Sequence, residues 1–474
     1  MAASLFAGVY QRLARRHYWR GYAAYKRDAL DEALGHYAKA LRWVPDDPWA
    51  LDGRGNVKAA KGNYAGALDD YTKATHVLPD HAGMLGNLGR CLHALGDTHG
   101  AVAVLDRAVA LDPGHANNLH IRAQTLALLG RLDEAMADLS RAFERDPSQI
   151  TALYDRGLIL AQQGKYAQAL ADFDKVLALS PGLAAGHYSR GTTQAALGDH
   201  DKAIADLTAY LAQRPDDPDA LYQRGNSHSA KGDHTASVAD LDRAIGLRAD
   251  VPDYHLARAT ALKGLGRLEA ARADCNRAVE LGPDLVRAYL HRVSVTFSLR
   301  DYASVIADGD RILARAPGET GGFLARGAGH FALADYEAAI ADYDALLAIA
   351  PEEPEGYLGR AAIRREMGGG DAMLADYRKY LALVTAPACA REHNGRAWAH
   401  FVLGDLEPAR ADADRAIALA PDDASGYGTR AHILEALGHT DAAIADFRAA
   451  LARHPTEHVE KRAREALIRL GSAP

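Results

Sequence analysis

The chain has 474 residues, of which 25% are charged and 48% hydrophobic, much of the latter alanine, and its formal net charge is −7. Acids and bases alternate throughout, which leaves no basic stripe for a polynucleotide and speaks against nucleic acid as a partner. No secretory leader or membrane-length apolar run interrupts the pattern, and Cys91, Cys275 and Cys389 lie too far apart for a disulfide framework, so a reducing, cytoplasmic setting is expected.

The opening stretch, "MAASLFAGVYQRLARRHYWRGYAAYKR", holds no acid before Asp28. Leu5, Phe6, Val9, Tyr10 and Leu13 share one helical face, and residues 1–13 are expected to cap the repeating units that begin at Ala14. The alternative is a basic amphipathic helix on an anionic membrane surface. From Ala14 the chain keeps a 34-residue period. Thirteen units cover residues 14–457, starting at Ala14, Pro48, Ala82, Ala116, Ile150, Ala184, Pro218, Pro252, Val286, Thr320, Pro354, Ala390 and Ala424; only the eleventh, 354–389, departs, by two residues. Such a period marks supersecondary units that bury their apolar faces against their neighbours.

Each unit reads as a helix hairpin. Glycine at the eighth place (Gly55, Gly89, Gly157) and alanine at the twentieth (Ala67, Ala101, Ala169) let two helices approach closely. Glycine near the fifteenth, as at Gly62 and Gly164, supplies the positive φ that ends the first helix. Proline at the unit's end, from Pro45 through Pro113 to Pro455, stops the second. Beyond the units, "EHVEKRAREALIRLG" puts Val459, Ala463, Leu467 and Leu470 on one face, which predicts a capping helix and tail over 458–474.

Stretches such as "LGNLGRCLHALGDTHGAVAVLDRAVALDP" at 85–113 and "GTRAHILEALGHTDAAIADFRAALARHP" at 428–455 resemble the tetratricopeptide repeat. The resemblance covers nearly the whole chain. It implies an all-α fold, a right-handed α-solenoid of antiparallel helix hairpins, whose first helices line a concave groove that binds segments of other proteins.

One place departs from the family. The seventh is arginine in twelve of thirteen units, where an apolar residue is usual, and the twenty-third is aspartate in eleven. The third unit lacks both, with Leu88 and Val104, and the first sets Arg20 against His36. Joint loss predicts a partly buried ion pair inside each hairpin, such as Arg156 with Asp172, that fixes helix register.

No phosphate loop, zinc helix, paired CxxC or nucleophile elbow occurs, so no catalytic, cofactor or metal residue is assigned and the protein is expected not to be an enzyme. Histidines at the fourth place (His17, His187, His255, His393) read as satisfied core groups, and "CAREHN" at 389–394 lacks the third group a nucleophile needs. By the resemblance, the second, fifth, sixth, ninth, twelfth and thirteenth places face the groove. The family's carboxylate clamp is not matched, because Asp52, Asn117 and Ile121 occupy its basic places. The fifth place is Tyr154, Tyr188 and Tyr222 in units five to seven, then Leu256, Leu290, Leu324 and Leu358. Phe297 and Phe331 join at the twelfth place, with Trp398 and Phe401 further along the chain. These residues are the expected partner-binding groove, with its apolar stretch in repeats 8–11; alternatively the leucines pack as core between neighbouring first helices. The same units exchange large for small, with Val293 and Val305 opposite Gly309, as if helix spacing altered locally, and Gly368, Gly369 and Gly370 form a pliant turn. The expected function is a protein–protein interaction scaffold or adaptor for a protein or peptide segment, needing no cofactor. Its rivals are a self-assembling oligomeric scaffold and a membrane-associated adaptor, and the sequence does not fix the oligomeric state.

Overall fold

The computed structural model describes residues 2–453 and 457–472, with side chains over 8–453 and 459–472; Leu5, Phe6 and Pro455 lie outside the described side chains. The chain divides into two compact units, residues 1–231 and 232–474. The first holds α1 (Ala2–Lys26), α2 (Leu30–Trp43), α3 (Pro48–Ala60), α4 (Tyr64–Val77), α5 (Ala82–Ala94), α6 (Thr98–Leu111), α7 (Ala116–Leu128), α8 (Leu132–Arg145), α9 (Ile150–Gln162), α10 (Tyr166–Leu179), α11 (Ala184–Ala196), α12 (His200–Gln213) and α13 (Pro218–Ala230). The second holds α14 (His234–Leu247), α15 (Pro252–Gly264), α16 (Leu268–Leu281), α17 (Val286–Ser298), α18 (Tyr302–Arg315), α19 (Thr320–Ala332), α20 (Tyr336–Ile349), α21 (Pro354–Glu366), α22 (Asp371–Leu383), α23 (Ala390–Leu403), α24 (Leu406–Leu419), α25 (Ala424–Ala436), α26 (Thr440–Leu451) and α27 (Glu457–Arg469). Each unit is an all-α solenoid of helix hairpins, with no strand among the described residues. Residues 2–13 do not form a separate element, because α1 runs unbroken from them into the first hairpin.

Local chemistry sets the helix ends. Asn63, Asp97 and Asp199 cap second helices by accepting from the backbone N–H three residues on, and Asp47 and Asp217 cap first helices that open on proline. Gly164, with φ of 72°, closes α9 and turns the chain into α10.

Packing within a hairpin is knob into hole. The bulky twenty-fourth place, Tyr71 or Phe173 for example, is buried against the small eighth place of the partner helix. A Cβ on Gly157 would stand 2.7 Å from the Phe173 ring, so the ring would have to shift to admit even alanine there. The ninth hairpin reverses this. Its twenty-fourth place is Gly309 on α18, and where other hairpins set a side chain, the main chain of α19 moves in: a Cβ on Gly309 would lie 3.0 Å from the Gly322 carbonyl oxygen. The exchange of large for small thus does bring two helices together.

The arginine ladder pairs as the sequence predicts. Arg54, Arg122, Arg156, Arg190, Arg258, Arg292, Arg326, Arg360, Arg396 and Arg430 each donate Nε and Nη2 to the aspartate sixteen residues on, at 2.5–3.0 Å. In the third hairpin Leu88 and Val104 instead join an apolar cluster with Tyr71 and Cys91. In the first, His36 meets His17, Nδ1 to Nδ1 at 3.3 Å, and Arg20 is exposed.

Nη1 does something the sequence did not show. It reaches back to the second helix of the preceding hairpin: Arg122 to Asp106, Arg156 to Ser140, Arg190 to Asp174 and Arg292 to Asn276, at 2.7–2.9 Å. One guanidinium therefore fastens its own hairpin and the one before it. Three of the fourth-place histidines are hydrogen-bonded to the ladder, His255 buried and His187 and His393 partly so, each turning Nδ1 to Asp274, Asp206 or Asp412 at 2.9–3.2 Å. Burial would raise the pKa of these three carboxyls, but the arginine and then the histidine outweigh it and hold them below the usual aspartate range.

A candidate peptide-binding cleft in the second unit

The fifth, ninth and twelfth places of successive first helices meet along one wall. Phe297 of α17, Leu324, Ala328 and Phe331 of α19, and Leu358 and Ala362 of α21 line a cleft of about 1000 Å³. Helical spacing explains the alignment, since these places fall on one face and the repeat sets one such face beside the next. Phe297 is 39% exposed, with its ring edge-on to Tyr302 at 5.5 Å. Tyr343 and Tyr380 floor the cleft, and burial pushes the Tyr380 phenol up to about 12. The rim is polar and carries the Arg391–Glu355 ion pair at 2.6 Å.

Phe331, Leu358 and Ala362 also open onto a smaller pocket of about 280 Å³, which continues to Trp398 of α23, Phe447 of α26 and Val459 of α27. The guanidinium carbons of Arg365 and Arg462 lie 5.0 and 4.8 Å from the Trp398 ring centroid. Burial first, and then the nearby Arg365, lower the pKa of Arg462.

Not every expected groove residue is here. Leu256 is 4% exposed and fills the space left by Ala278 and Ala288, so it is core. Leu290 is half-buried and sits against Gly321, where a Cβ would lie 2.7 Å from its Cδ2. It packs onto the next first helix. Phe401 packs against Ala397, Ala409, Ala413 and Ile433. Tyr154 and Tyr188 are half-buried in the other unit, the first bonded to Ser189 Oγ at 3.0 Å and ring-packed on Phe173, the second on Tyr210; Tyr222 is half-buried too. The leucines thus split, two into core contacts and two into the cleft.

Other residues of the site escape a reading by apolar places alone. Arg365 breaks the twelfth-place series Phe297, Phe331, Phe401, and Asn394 ends the fifth-place run of leucines. Arg462 stands at the fifth place of what would be a further unit. A change of chemistry at a groove place was the available signal.

Sequence models of the tetratricopeptide repeat match residues 53–116, 157–198, 188–254, 252–285 and 429–473. The chain belongs to the tetratricopeptide repeat family. The model described as anaphase-promoting complex, cyclosome, subunit 3 matches residues 94–176. No curated protein matches by sequence. Among solved structures, the Cut9–Hcn1 hetero-tetramer of the APC/C aligns over 99% of both chains at 14% identity with a TM-score of 0.48. Yeast Tom70 aligns over 89% of this chain and 96% of its own at 17% identity, TM-score 0.43. YrrB, described as a TPR protein with an unusual peptide-binding site, covers 39% of this tetratricopeptide repeat chain and 95% of its own at 22% identity, TM-score 0.36.

Proposed function

We propose that this tetratricopeptide repeat protein is a non-catalytic adaptor that holds a segment of a partner protein in the cleft of its second unit. Membership of a family of interaction scaffolds supports the general reading. The observation that carries the specific one is the cleft itself: Phe297, Leu324, Phe331 and Leu358, on three successive first helices, are left open to solvent in one continuous space. Apolar surface of that extent bounded by a charged rim is what a partner segment covers, with a few central side chains giving most of the affinity. Residues 14–457 then act as the repeat array, with 1–13 and 458–474 as its covers. Tyr10 stacked on Trp43 at 5.3 Å, and Leu467 buried against Phe447 and Ala463, support those two roles.

The test is the double variant Phe297→Ser, Phe331→Ser in a pull-down read by mass spectrometry. Partners recovered by the parent should be lost from the double variant and weakened by Phe297→Ser alone, and the single variant, whose side chain is exposed, should melt as the parent does. Unchanged partners with unchanged stability would place binding elsewhere.

A further inference from the structure

We propose that the pocket beside Trp398 receives the acidic side chain, aspartate or glutamate, of the segment that occupies the neighbouring cleft. This rests on the cleft reading and adds a chemical preference to it. Three polar atoms on the pocket lining are buried and lack a well-formed hydrogen bond: Asn394 Oδ1, Tyr377 Oη and Trp398 Nε1, the last of which points its N–H toward the Tyr377 hydroxyl without closing a full bond. Folded proteins leave few such atoms, and a cluster of three on one lining asks for a polar occupant. Two of them can donate, and the charges nearest them are the cations Arg365 and Arg462, with the carboxylate of Glu366 behind Arg365. Arg365 and Arg462 flank the Trp398 ring, Arg365 has Glu366 at 3.0 Å, and among the described residues no carboxylate stands within ion-pair distance of Arg462. A half-buried guanidinium beside a second one, with the Tyr377 O–H left without an acceptor and the Trp398 N–H only loosely engaged, is complementary to a carboxylate. Asn394 Oδ1 is left to accept a backbone N–H next to it.

Continuity decides the source of that carboxylate. The pocket shares Phe331, Leu358 and Ala362 with the cleft, so its occupant is joined to what lies there, which disfavours a free small acid. The cleft also runs on past those shared residues, to Arg391 of α23 and Lys461 of α27. A segment laid along it passes the mouth of the pocket rather than ending at it. What turns in is a side chain, for which about 280 Å³ is sufficient room.

The experiment selects short random segments, displayed without a free carboxyl end, on the full chain, then measures the enriched sequences as amidated peptides by fluorescence anisotropy. Enriched segments should carry an acidic residue at one position among apolar ones. Changing that residue to its amide should weaken binding by about tenfold or more. On Arg462→Gln or Arg365→Gln, either of which can be checked for unchanged melting, acid and amide versions should bind alike, through the cleft alone. Enriched segments without an acid, or an acid preference that both arginine variants keep, would overturn the proposal while leaving the cleft reading intact. Amide versions that regain full affinity on receiving a free carboxyl terminus would overturn it in favour of a chain end. If no segment is enriched at all, the cleft reading fails with it.

Discussion

Arg190 shows what the ladder does and how to break it. Its carboxylate partner Asp206 is 5% exposed, so removing the cation leaves a buried charge that only His187 partly answers. Arg190→Leu should cost roughly 3 kcal/mol in a denaturant melt, and adding Asp206→Val should recover much of it, as Leu88 and Val104 already do in the third hairpin. Simple additivity of the two changes would contradict the pairing. The depressed carboxyls of Asp206, Asp274 and Asp412 also set a pH dependence. A carboxyl whose pKa falls on folding contributes stability above the ordinary value of about 3.9, and that contribution is lost as pH drops through the lower folded value. The melting midpoint should therefore fall as the pH goes from about 4 downward, and Asp206→Asn should flatten part of that slope. The pair within a hairpin was legible because both members vanish together at Leu88 and Val104. The reach of Nη1 to the previous hairpin was not, since its acceptor changes from aspartate to serine or asparagine and leaves no constant residue to notice.

Between elements, the same place in the repeat does not guarantee the same burial. Leu256 and Leu358 both stand at the fifth place, yet the first is sealed by Ala278 and Ala288 while the second lines the cleft. Leu256→Ala should thus destabilise by about 2–5 kcal/mol and Phe297→Ala by no more than about 0.5 kcal/mol, both read in a denaturant melt. Equal losses would mean that Phe297 is core as well. Helix hairpins, their turns and the knob-in-hole contact could be read from period and small residues alone, because one backbone geometry repeats. The lining of the cleft was half legible: Phe297, Leu324, Phe331 and Leu358 could be picked out by their places in the repeat, but exposure depends on the neighbour across the interface. Gly309 is the clearest case. Only as a residue facing Gly322 of α19 does it signal close approach, so Gly309→Leu should destabilise by forcing α18 and α19 apart, where an ordinary twenty-fourth-place leucine would stabilise.

At the scale of the molecule, contacts between successive hairpins make stability a chain of near-neighbour terms rather than one global quantity. In the first unit the coupling has identifiable parts. Arg156 binds Asp172 on α10 and Ser140 on α8, so its removal loosens its own hairpin and the one before it. The α3–α4 hairpin shares neither bond and keeps its own Arg54–Asp70 pair. In Arg156→Leu, hydrogen exchange followed by mass spectrometry should accordingly speed up in α8, α9 and α10, by about a hundredfold if the local loss is near 3 kcal/mol. Exchange in α3 and α4 should stay as in the parent. A rise spread evenly over the whole first unit would show instead that its hairpins open together, and that the arginines fasten one cooperative block rather than a series of neighbours.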